Sequence, residues 1–490
     1  MENVSVLVRK NLTMEKYFSQ VKIVTPNNIS RLLKASARAV VLSVEVVNNF
    51  LMVSGKVVAN AVYLNDENKI ENTETTIDFV EKQKINFVLS DISAEDVLEI
   101  QHINVSSSEV VLSLAHETKI LGMYRYLLGD ATKLTDEYVV HHKDVEMLAF
   151  KQANDENFVV AEEVDSNLRD VNILNISSES ILTSCACGVD KVVIDGKVRV
   201  NALYSDNTGL GEIAREFEFK QEVAVKGALP GMSCDVCLKH LNTAIVEQVK
   251  EDKTSLAFVI DLSAKAYVFE GLTIHTYDDI YSLTNEIEPV YEYAEFAEKE
   301  GLDFDTDTVL TQTNISDRED FDDIVGVYQP CVNILDVQDL EEKVVVQAEI
   351  KALALYKTQT SVEKLDLRYE TRFEISKEIN KKLAKVSASA FVSAFKVKAG
   401  KDLECAFSVE YKFEYEKISE LKFVKTYNIL EEKELSEAGV RVYVTRENQS
   451  LFDVARALNV RPELISSQME VKDPFESGQK VFVYCPLNIV

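Results

Sequence analysis

The sequence predicts a mainly β protein: three repeated antiparallel β-sandwich or open-barrel domains followed by a small α+β module of strand, helix, helix and strand. Three observations support this fold class. A nine-residue pattern occurs three times at domain-sized intervals, alternating apolar residues fill each copy, and the last fifty residues change to a helical period. The 490 residues suit three domains and a small fourth, at roughly 150 residues per domain.

The repeated pattern ends at a tyrosine in all three copies. Gly55–Tyr63 reads GKVVANAVY and Gly196–Tyr204 reads GKVRVNALY, so six of nine positions are identical at an offset of 141 residues. A weaker copy, Ala348–Tyr356, reads AEIKALALY and begins with alanine. We therefore expect β-domains at residues 1–135, 136–285 and 286–437, and a separate module at residues 438–490.

Each copy of the pattern alternates as a β-strand does. Every second side chain is apolar, which predicts a strand whose apolar face lies in the core. The predicted core residues are Val57, Ala59, Ala61, Tyr63, Val198, Val200, Ala202, Tyr204, Ile350, Ala352, Ala354 and Tyr356. The first two copies are followed by Asn65-Asp66 and Asp206-Asn207. Asn and Asp tolerate left-handed turns, which explains how an all-β chain manages with 15 glycines.

The last fifty residues predict a compact α+β module. Its expected elements are a strand at Val442–Thr445, a helix capped by Ser450, a second helix that begins at Pro462 and a closing strand at Val481–Tyr484. The first helix would bury an apolar stripe made of Leu451, Val454, Ala455 and Leu458.

The composition excludes several classes of function. The chain carries 53 basic and 82 acidic residues, for a net charge of −29, and such a surface repels nucleic acid and anionic lipid headgroups. Residues 441–490 are neutral, with six basic and six acidic side chains. We see no signal peptide and no apolar stretch long enough to span a bilayer, and seven sparse cysteines suit a reducing cytosol.

No linear motif of a phosphate loop, a dinucleotide-binding fold, a serine hydrolase or a zinc protease occurs in the sequence. We therefore expect no enzyme, no cofactor and no resident metal. A wall hydrolase that uses the C-terminal module as an anchor is the weaker alternative.

Four cysteines raise the question of a zinc site. Cys185-Ala-Cys187 would occupy one strand face that carries core valines in the first copy. Cys234 and Cys237 are three residues apart, so in a strand they would face opposite ways. We favour buried thiols over zinc, and whether the four cysteines meet stays open.

Two other groups resemble metal ligands only in part. Asp303, Asp305 and Asp307 open like a calcium loop, but Thr308 stands where such a loop needs glycine, so an acidic surface loop is the better interpretation. His141-His142 are neighbours in a predicted strand and would point to opposite faces.

The C-terminal module resembles the LysM domain. The matching positions are Tyr443, Asn448-Gln449-Ser450-Leu451, Val454-Ala455, Met469 and Gly478-Gln479-Lys480. The resemblance implies a glycan groove between the first loop and the loop after the second helix, where this chain has Asn448, Gln449, Ser450, Met469 and Glu470. The family's Gly-Asp pair is Asn448-Gln449 here, and its asparagine is Met469. These changes favour a protein partner over an N-acetylglucosamine polymer, because sugar recognition needs placed hydrogen-bonding groups.

Phe452 and Phe475 are further candidates in this module. An exposed phenylalanine in so small a module would suit a protein–protein anchor. The alternative, that both rings are buried, is left open by the sequence.

The repeats resemble the SPOCS domain of spore-coat-associated proteins. The resemblance is carried by the G-x-V-x-V-x-x-x-Y strand and by Pro230-Gly231-Met232 in the second copy. SPOCS repeats with a C-terminal LysM module are the arrangement of the SipL family of clostridial spore-coat morphogenetic proteins. This resemblance implies a cytosolic mother-cell protein that binds the coat ATPase SpoIVA through its LysM module. We thus expect a non-enzymatic scaffold of spore-envelope assembly, with peptidoglycan binding as the alternative.

Overall fold

The protein is described here by a computed structural model. The described residues are 3–130, 134–207, 209–250, 253–315, 323–340, 343–359, 361–376, 385–399, 402–433 and 439–485. Within these ranges the chain forms antiparallel sheets, none of them closed, and two short helices. The prediction of a mainly β protein is confirmed.

The first eighteen strands fall into three units of six. Unit 1 comprises β1 (Asn3–Val24), β2 (Ile29–Val47), β3 (Phe50–Asn65), β4 (Ile70–Lys84), β5 (Leu89–Val105) and β6 (Glu109–Gly129). Unit 2 comprises β7 (Tyr138–Ser166), β8 (Asn172–Gly188), β9 (Lys191–Asp206), β10 (Gly209–Ala224), β11 (Ser233–Lys250) and β12 (Lys253–Ser282). Unit 3 comprises β13 (Asn285–Asn314), β14 (Asp323–Asp339), β15 (Lys343–Lys357), β16 (Val362–Ser376), β17 (Lys385–Ala399) and β18 (Asp402–Glu432).

The sheet order recurs at an interval of six strands. Unit 1 has the sheets β1-β6-β5 and β2-β3-β4, unit 2 has β7-β12-β11 and β8-β9-β10, and unit 3 has β13-β18-β17 and β14-β15-β16. In each unit one sheet therefore takes the three middle strands and the other takes the remaining three. Both sheets contribute to a single apolar core, as in a sandwich.

The repeated pattern forms the central strand of the middle sheet, β3, β9 or β15. All twelve predicted core residues are buried, which confirms the faces assigned from the alternation. The glycine at the first position of the pattern has a steric cause. A Cβ atom at Gly196 would lie 2.3 Å from Cζ of Phe219 and 2.6 Å from the carbonyl oxygen of Ile181. Gly55 meets the ring of Phe79 in the same way. Glycine is needed at this first position because the phenylalanine ring of the adjacent strand lies directly against it.

Asn and Asp take many of the left-handed positions that glycine usually fills, but after the second repeat the left-handed residue is Gly209 and not Asp206 or Asn207. Among the described residues, the non-glycine positions with positive φ are Asn48, Asn49, Asn68, Asp91, Asp170, Asp190, Asn448 and Asn459. After the first repeat the left-handed residue is Asn68, whereas Asn65 stabilises the turn through its side chain. Its Oδ1 accepts hydrogen bonds from the backbone N–H groups of Glu67 and Lys69, both at 2.9 Å.

The three units share apolar clusters with one another. One cluster joins the ends of the long strands, with Val6 and Val8 from unit 1, Val145, Met147 and Ile274 from unit 2, and Ala294, Leu421 and Phe423 from unit 3. A second cluster contains Val62, Leu203 and Leu355, which occupy the same position of the three repeats. These side chains point away from their own cores and hold the units together.

A buried polar network crosses the same junction. The Nζ atom of Lys34 donates to Oδ1 of Asn175 at 2.7 Å, and Nδ2 of Asn175 donates to Oδ1 of Asn60 at 3.1 Å and to Oγ of Ser36 at 2.9 Å. Burial lowers the pKa of Lys34 to about 7, against the opposing effect of the Glu212 charge. The network fixes the position of unit 1 on unit 2 because its polar groups are buried and need each other as partners.

The C-terminal segment has the order strand, helix, helix, strand. Its elements are β19 (Gly439–Val444), α1 (Leu451–Leu458), α2 (Pro462–Gln468) and β20 (Lys480–Cys485). β19 and β20 pair antiparallel. Ser450 caps α1 as predicted, and Pro462 is the first residue of α2. Among the described residues, no helix has the length and apolarity needed to cross a membrane.

Candidate docking surface of the C-terminal module

The C-terminal module is held on unit 2 by its helical side. Val454, Ala455, Leu458 and Ile465 form one apolar cluster with Val481 and Val483 of β20, and this cluster also includes Val139 and Tyr281 of unit 2. The core of the module is thus completed by residues of another unit, and the module has a fixed orientation.

Arg456 of α1 is the central polar contact of this joint. Its Nη1 donates to Oδ2 of Asp279 at 2.8 Å, and its Nη2 donates to the carbonyl oxygen of Ile280 at 2.8 Å. Burial alone would raise the pKa of Asp279, but hydrogen bonding to Arg456 and its charge outweigh burial and hold the pKa below its usual value. The two-atom pairing of a guanidinium with a carboxylate fixes both distance and angle.

The chain leading into the module reinforces the joint. Lys433 donates from Nζ to the carbonyl oxygen of Ser282 at 2.7 Å and to Oδ1 of Asn459 at 2.9 Å. Asn459 in turn donates from Nδ2 to the carbonyl oxygen of Leu283 at 3.0 Å. Tyr281 donates from its hydroxyl to the carbonyl oxygen of Val460 at 2.6 Å.

Phe452 lies inside this joint. Its ring centre is 5.1 Å from that of Tyr281 and 5.2 Å from that of His141. Phe475 is also buried, at 2% exposure. Neither ring is an exposed anchor. The sequence left open whether a phenylalanine is exposed or both are buried, and the structure supports the burial of both.

The first predicted loop uses most of its polar groups internally. Gln449 accepts from the backbone N–H of Arg446 at 2.7 Å and donates to the hydroxyl of Tyr443 at 3.0 Å. The Oγ atom of Ser450 accepts from the backbone N–H of Asp453 at 3.1 Å and caps α1. Asn448 is exposed, with a positive φ of 59°.

The loop after α2 meets the first loop through residues beyond the predicted pair. The backbone N–H of Phe475 donates to the carbonyl oxygen of Gln449 at 2.9 Å, and Asp473 accepts from the backbone N–H of Leu451 at 3.2 Å. Met469 is half-buried against the core of the module, and Glu470 is exposed. The two loops are therefore adjacent, and the roles of Asn448, Gln449, Ser450, Met469 and Glu470 stay a prediction.

The opposite side of the module is an exposed apolar surface that the sequence analysis missed. We call it the hairpin face. It consists of five side chains on the outer side of β19 and β20, each more than half exposed: Val440 (63%), Val442 (53%), Val444 (53%), Phe482 (53%) and Tyr484 (56%). The ladder pairs Val440 with Tyr484 and Val442 with Phe482, so the side chains form one continuous patch. The sequence did contain a signal for this exposed surface in β20, because residues 481–484 are apolar on both faces of the strand.

The other candidate groups lie elsewhere. Asp305 and Asp307 are exposed, but they belong to strand β13, so the predicted acidic loop is a strand at this point; the side chain of Asp303 lies outside the described residues. His141 and His142 are both exposed on β7. In the part of the chain that the structure describes, no three His, Cys, Asp or Glu side chains are arranged to hold a metal ion.

The four candidate cysteines separate into two groups. The thiols of Cys185 and Cys187 donate to the carbonyl oxygens of Cys234 and Ser233 at 3.5 and 3.7 Å, so three of the four cysteines lie at one place. Cys237 faces unit 1, where its Sγ donates to the carbonyl oxygen of Ala94 at 3.8 Å. The opposite directions of Cys234 and Cys237 agree with their spacing in a strand.

Residues 171–245 match the family model described as SipL, SPOCS domain. Unit 2 therefore contains a SipL-like SPOCS domain. The match runs from β8 to the greater part of β11, so the SPOCS domain contains the second repeat and the four candidate cysteines. No curated protein and no solved structure was found to match the chain. The SPOCS domain lies in unit 2, the unit against which the C-terminal module packs.

Proposed function

We propose that the protein is a non-enzymatic scaffold of spore-envelope assembly, and that it docks a protein partner through the C-terminal module. The SPOCS domain in unit 2 supports the link to sporulation. The observation that carries the docking proposal is the hairpin face. Monomeric proteins seldom leave a contiguous apolar patch exposed without a use, and a patch with aromatic residues at its centre is typical of a protein interface.

In this proposal all three units are SPOCS-type domains, and the C-terminal module is a LysM domain. The recurring sheet order supports the first assignment, and the strand, helix, helix, strand order supports the second. Unit 1, unit 2 and unit 3 then act as one support, because shared clusters join them. The joint at Arg456 presents the hairpin face outwards from this support.

The partner is a protein, of the class of the coat ATPase SpoIVA suggested by the family resemblance. Two features favour a protein over a glycan. Gln449 and Ser450 use their side chains to build the first loop, which leaves fewer groups for sugar hydroxyls. The hairpin face offers apolar contact area instead. The site of action would be the mother-cell cytosol, at the forespore surface.

The test uses the full-length chain, because Val139 and Tyr281 complete the core of the module. Binding to purified coat ATPase and to spore-type peptidoglycan would be measured separately at physiological salt. We expect binding to the ATPase, and we expect Phe482→Asp to weaken it at least about tenfold, as for the loss of a central interface anchor. Leu310→Asp is the matched control, since Leu310 is 78% exposed on β13 of unit 3.

Met469→Asp separates the two surfaces of the module. If it abolishes ATPase binding while Phe482→Asp does not, the two loops are the docking site and the hairpin face is not. Binding to peptidoglycan alone would overturn the proposal and make the protein a glycan-binding factor.

A further inference from the structure

The two sheets of unit 2 meet at a seam lined by cysteines. β8 is the edge strand of one sheet and β11 is the edge strand of the other, so no backbone ladder joins them and side chains hold the seam. The Sγ atom of Cys185 donates to the carbonyl oxygen of Cys234 at 3.5 Å, and that of Cys187 donates to the carbonyl oxygen of Ser233 at 3.7 Å. Two thiols of β8 therefore lie directly against β11.

Cys234 completes the group from the other side. Its carbonyl oxygen accepts the hydrogen bond from Cys185, and its side chain packs against the same apolar core as those of Cys185 and Cys187. All three residues are half-buried, at the margin of the core rather than inside it. All seven cysteines fall within the described residues, and none of them forms a disulfide bond there.

We propose that Cys185, Cys187 and Cys234 form a thiol–disulfide site, in which Cys234 becomes linked to one of the two cysteines of β8. A disulfide requires neighbouring Cβ atoms about 3.5–4.5 Å apart, and the thiols of Cys185 and Cys187 already touch the backbone at Cys234 and Ser233, so little movement is needed to reach that geometry. Because one disulfide uses two of the three cysteines, the third cysteine keeps a free thiol. That thiol can attack the new bond, so the link can move between Cys185 and Cys187 by exchange.

The oxidant is a low-molecular-weight disulfide of the glutathione type. One protein thiolate attacks a sulfur of the small disulfide, forms a mixed disulfide and releases one small thiolate. A second protein thiolate then attacks the protein-side sulfur of the mixed disulfide and releases the second small thiolate. Two protein thiols are oxidised to one disulfide, and one small disulfide is reduced to two thiols.

The surroundings make this reaction slow at neutral pH. Burial raises the pKa of Cys187, and hydrogen bonding to Cys185 together with burial raises that of Cys234. The thiolate is the attacking species, so it is scarce until the solution becomes alkaline. The rate of oxidation should rise about tenfold per pH unit while the thiols remain mostly protonated.

Oxidation would tie together the edge strands of the two sheets within the SPOCS domain. In the reduced state the seam is held by weak thiol contacts, and in the oxidised state by a covalent bond. The site is independent of partner docking, because the hairpin face belongs to another part of the molecule.

The test is to incubate the full-length protein with oxidised glutathione at several pH values, alkylate the remaining thiols, digest the protein and map the cross-linked peptides by mass spectrometry. We expect a peptide pair that joins Cys234 to Cys185 or Cys187, formed faster at higher pH. Cys234→Ser should remove the cross-link, whereas Cys237→Ser should retain it, since Cys237 faces unit 1.

The wild-type map decides the proposal even if a variant fails to fold. A persistent glutathione adduct on Cys234, or a cross-link that excludes Cys234, would overturn it. Stoichiometric zinc that protects all three thiols from alkylation would also overturn it, in favour of a metal site.

Discussion

Unit 1 and unit 2 share a strand order but fill the same place in their cores differently. In unit 1, His116 is buried between two carboxylates: its Nδ1 is 2.8 Å from Oε1 of Glu81, and its Nε2 is 2.8 Å from Oδ1 of Asp96. Glu81 lies on β4 of one sheet, and Asp96 and His116 lie on β5 and β6 of the other. An ionic group thus links the two sheets of unit 1.

Unit 2 has no counterpart of this ionic group among its described residues. β5 and β11 both have a β-bulge at an equivalent position of their units. When the strands are aligned on these bulges, Ala264 takes the position of His116, and Val236 takes the position of Asp96. Gln221 corresponds to Glu81 on the adjacent sheet. The sheets of unit 2 are joined here by a hydrogen bond instead: Nε2 of Gln221 donates to Oε1 of Glu156, a residue of β7 that pairs with Ala264, at 3.2 Å.

Unit 3 uses a third arrangement at the same place. Tyr411 of β18 stacks on Phe373 of β16 with a ring-centre distance of 4.8 Å. The comparison of the three units shows that the fold depends on where inward-facing residues and β-bulges occur along each strand, rather than on the identity of each core residue. The choice of residue instead sets how each unit responds to pH and to mutation.

The largest effect is expected for His116→Ala. The substitution leaves the buried Glu81 and the partly buried Asp96 without their cation, and breaking a buried ion pair costs about 3–5 kcal/mol. Native-state hydrogen exchange should show faster opening of β6, with β12 little changed.

The matched control transfers the unit 2 residues into unit 1 as Glu81→Gln, Asp96→Val and His116→Ala together. This triple variant should be clearly more stable than His116→Ala alone, because no unpaired charge remains buried. If it is equally unstable, the ionic group has a role that these three uncharged residues cannot replace.

The second effect is a pH dependence confined to unit 1. Burial alone would lower the pKa of His116, but hydrogen bonds and the charges of Asp96 and Glu81 raise it to about 9. A pKa raised in the folded state means that the stabilisation is fully present below about pH 6.5 and is lost as pH rises through 9. Hydrogen exchange corrected for its intrinsic pH dependence should show β6 losing protection over this range, while the triple variant shows no such loss.

The smallest effect concerns the first residue of the repeat. Gly196→Ala should destabilise unit 2 by about 1–3 kcal/mol, because its Cβ atom would overlap the ring of Phe219. In unit 3 the ladder pairs Ala348 with Thr371, so a methyl group is tolerated there. Urea unfolding of Gly196→Ala should therefore be partly rescued by Phe219→Thr. A failure of this rescue would mean that the carbonyl oxygen of Ile181 is the stronger obstacle.

The C-terminal module illustrates what sequence patterns can and cannot predict. Ser450, Pro462 and the apolar stripe of α1 are local signals, and the structure confirms them, except that Leu451 of the stripe is only partly buried. Caps and helical periodicity can be predicted because they act within a few residues. The burial of Phe452 depends on Tyr281 and His141, which are more than 150 residues away in the chain. No local pattern could have shown it.

The sequence by itself determined the strands, their buried faces and the recurrence of the repeat, because a two-residue period acts over short distances along the chain. The tertiary structure alone decided three things: that Cys234 lies at one place with Cys185 and Cys187, that the units share the clusters at Val62 and its equivalents, and that the hairpin face stays exposed. These are contacts between elements far apart in the chain. Periodicity gives the face on which a side chain lies, and only packing gives its partner.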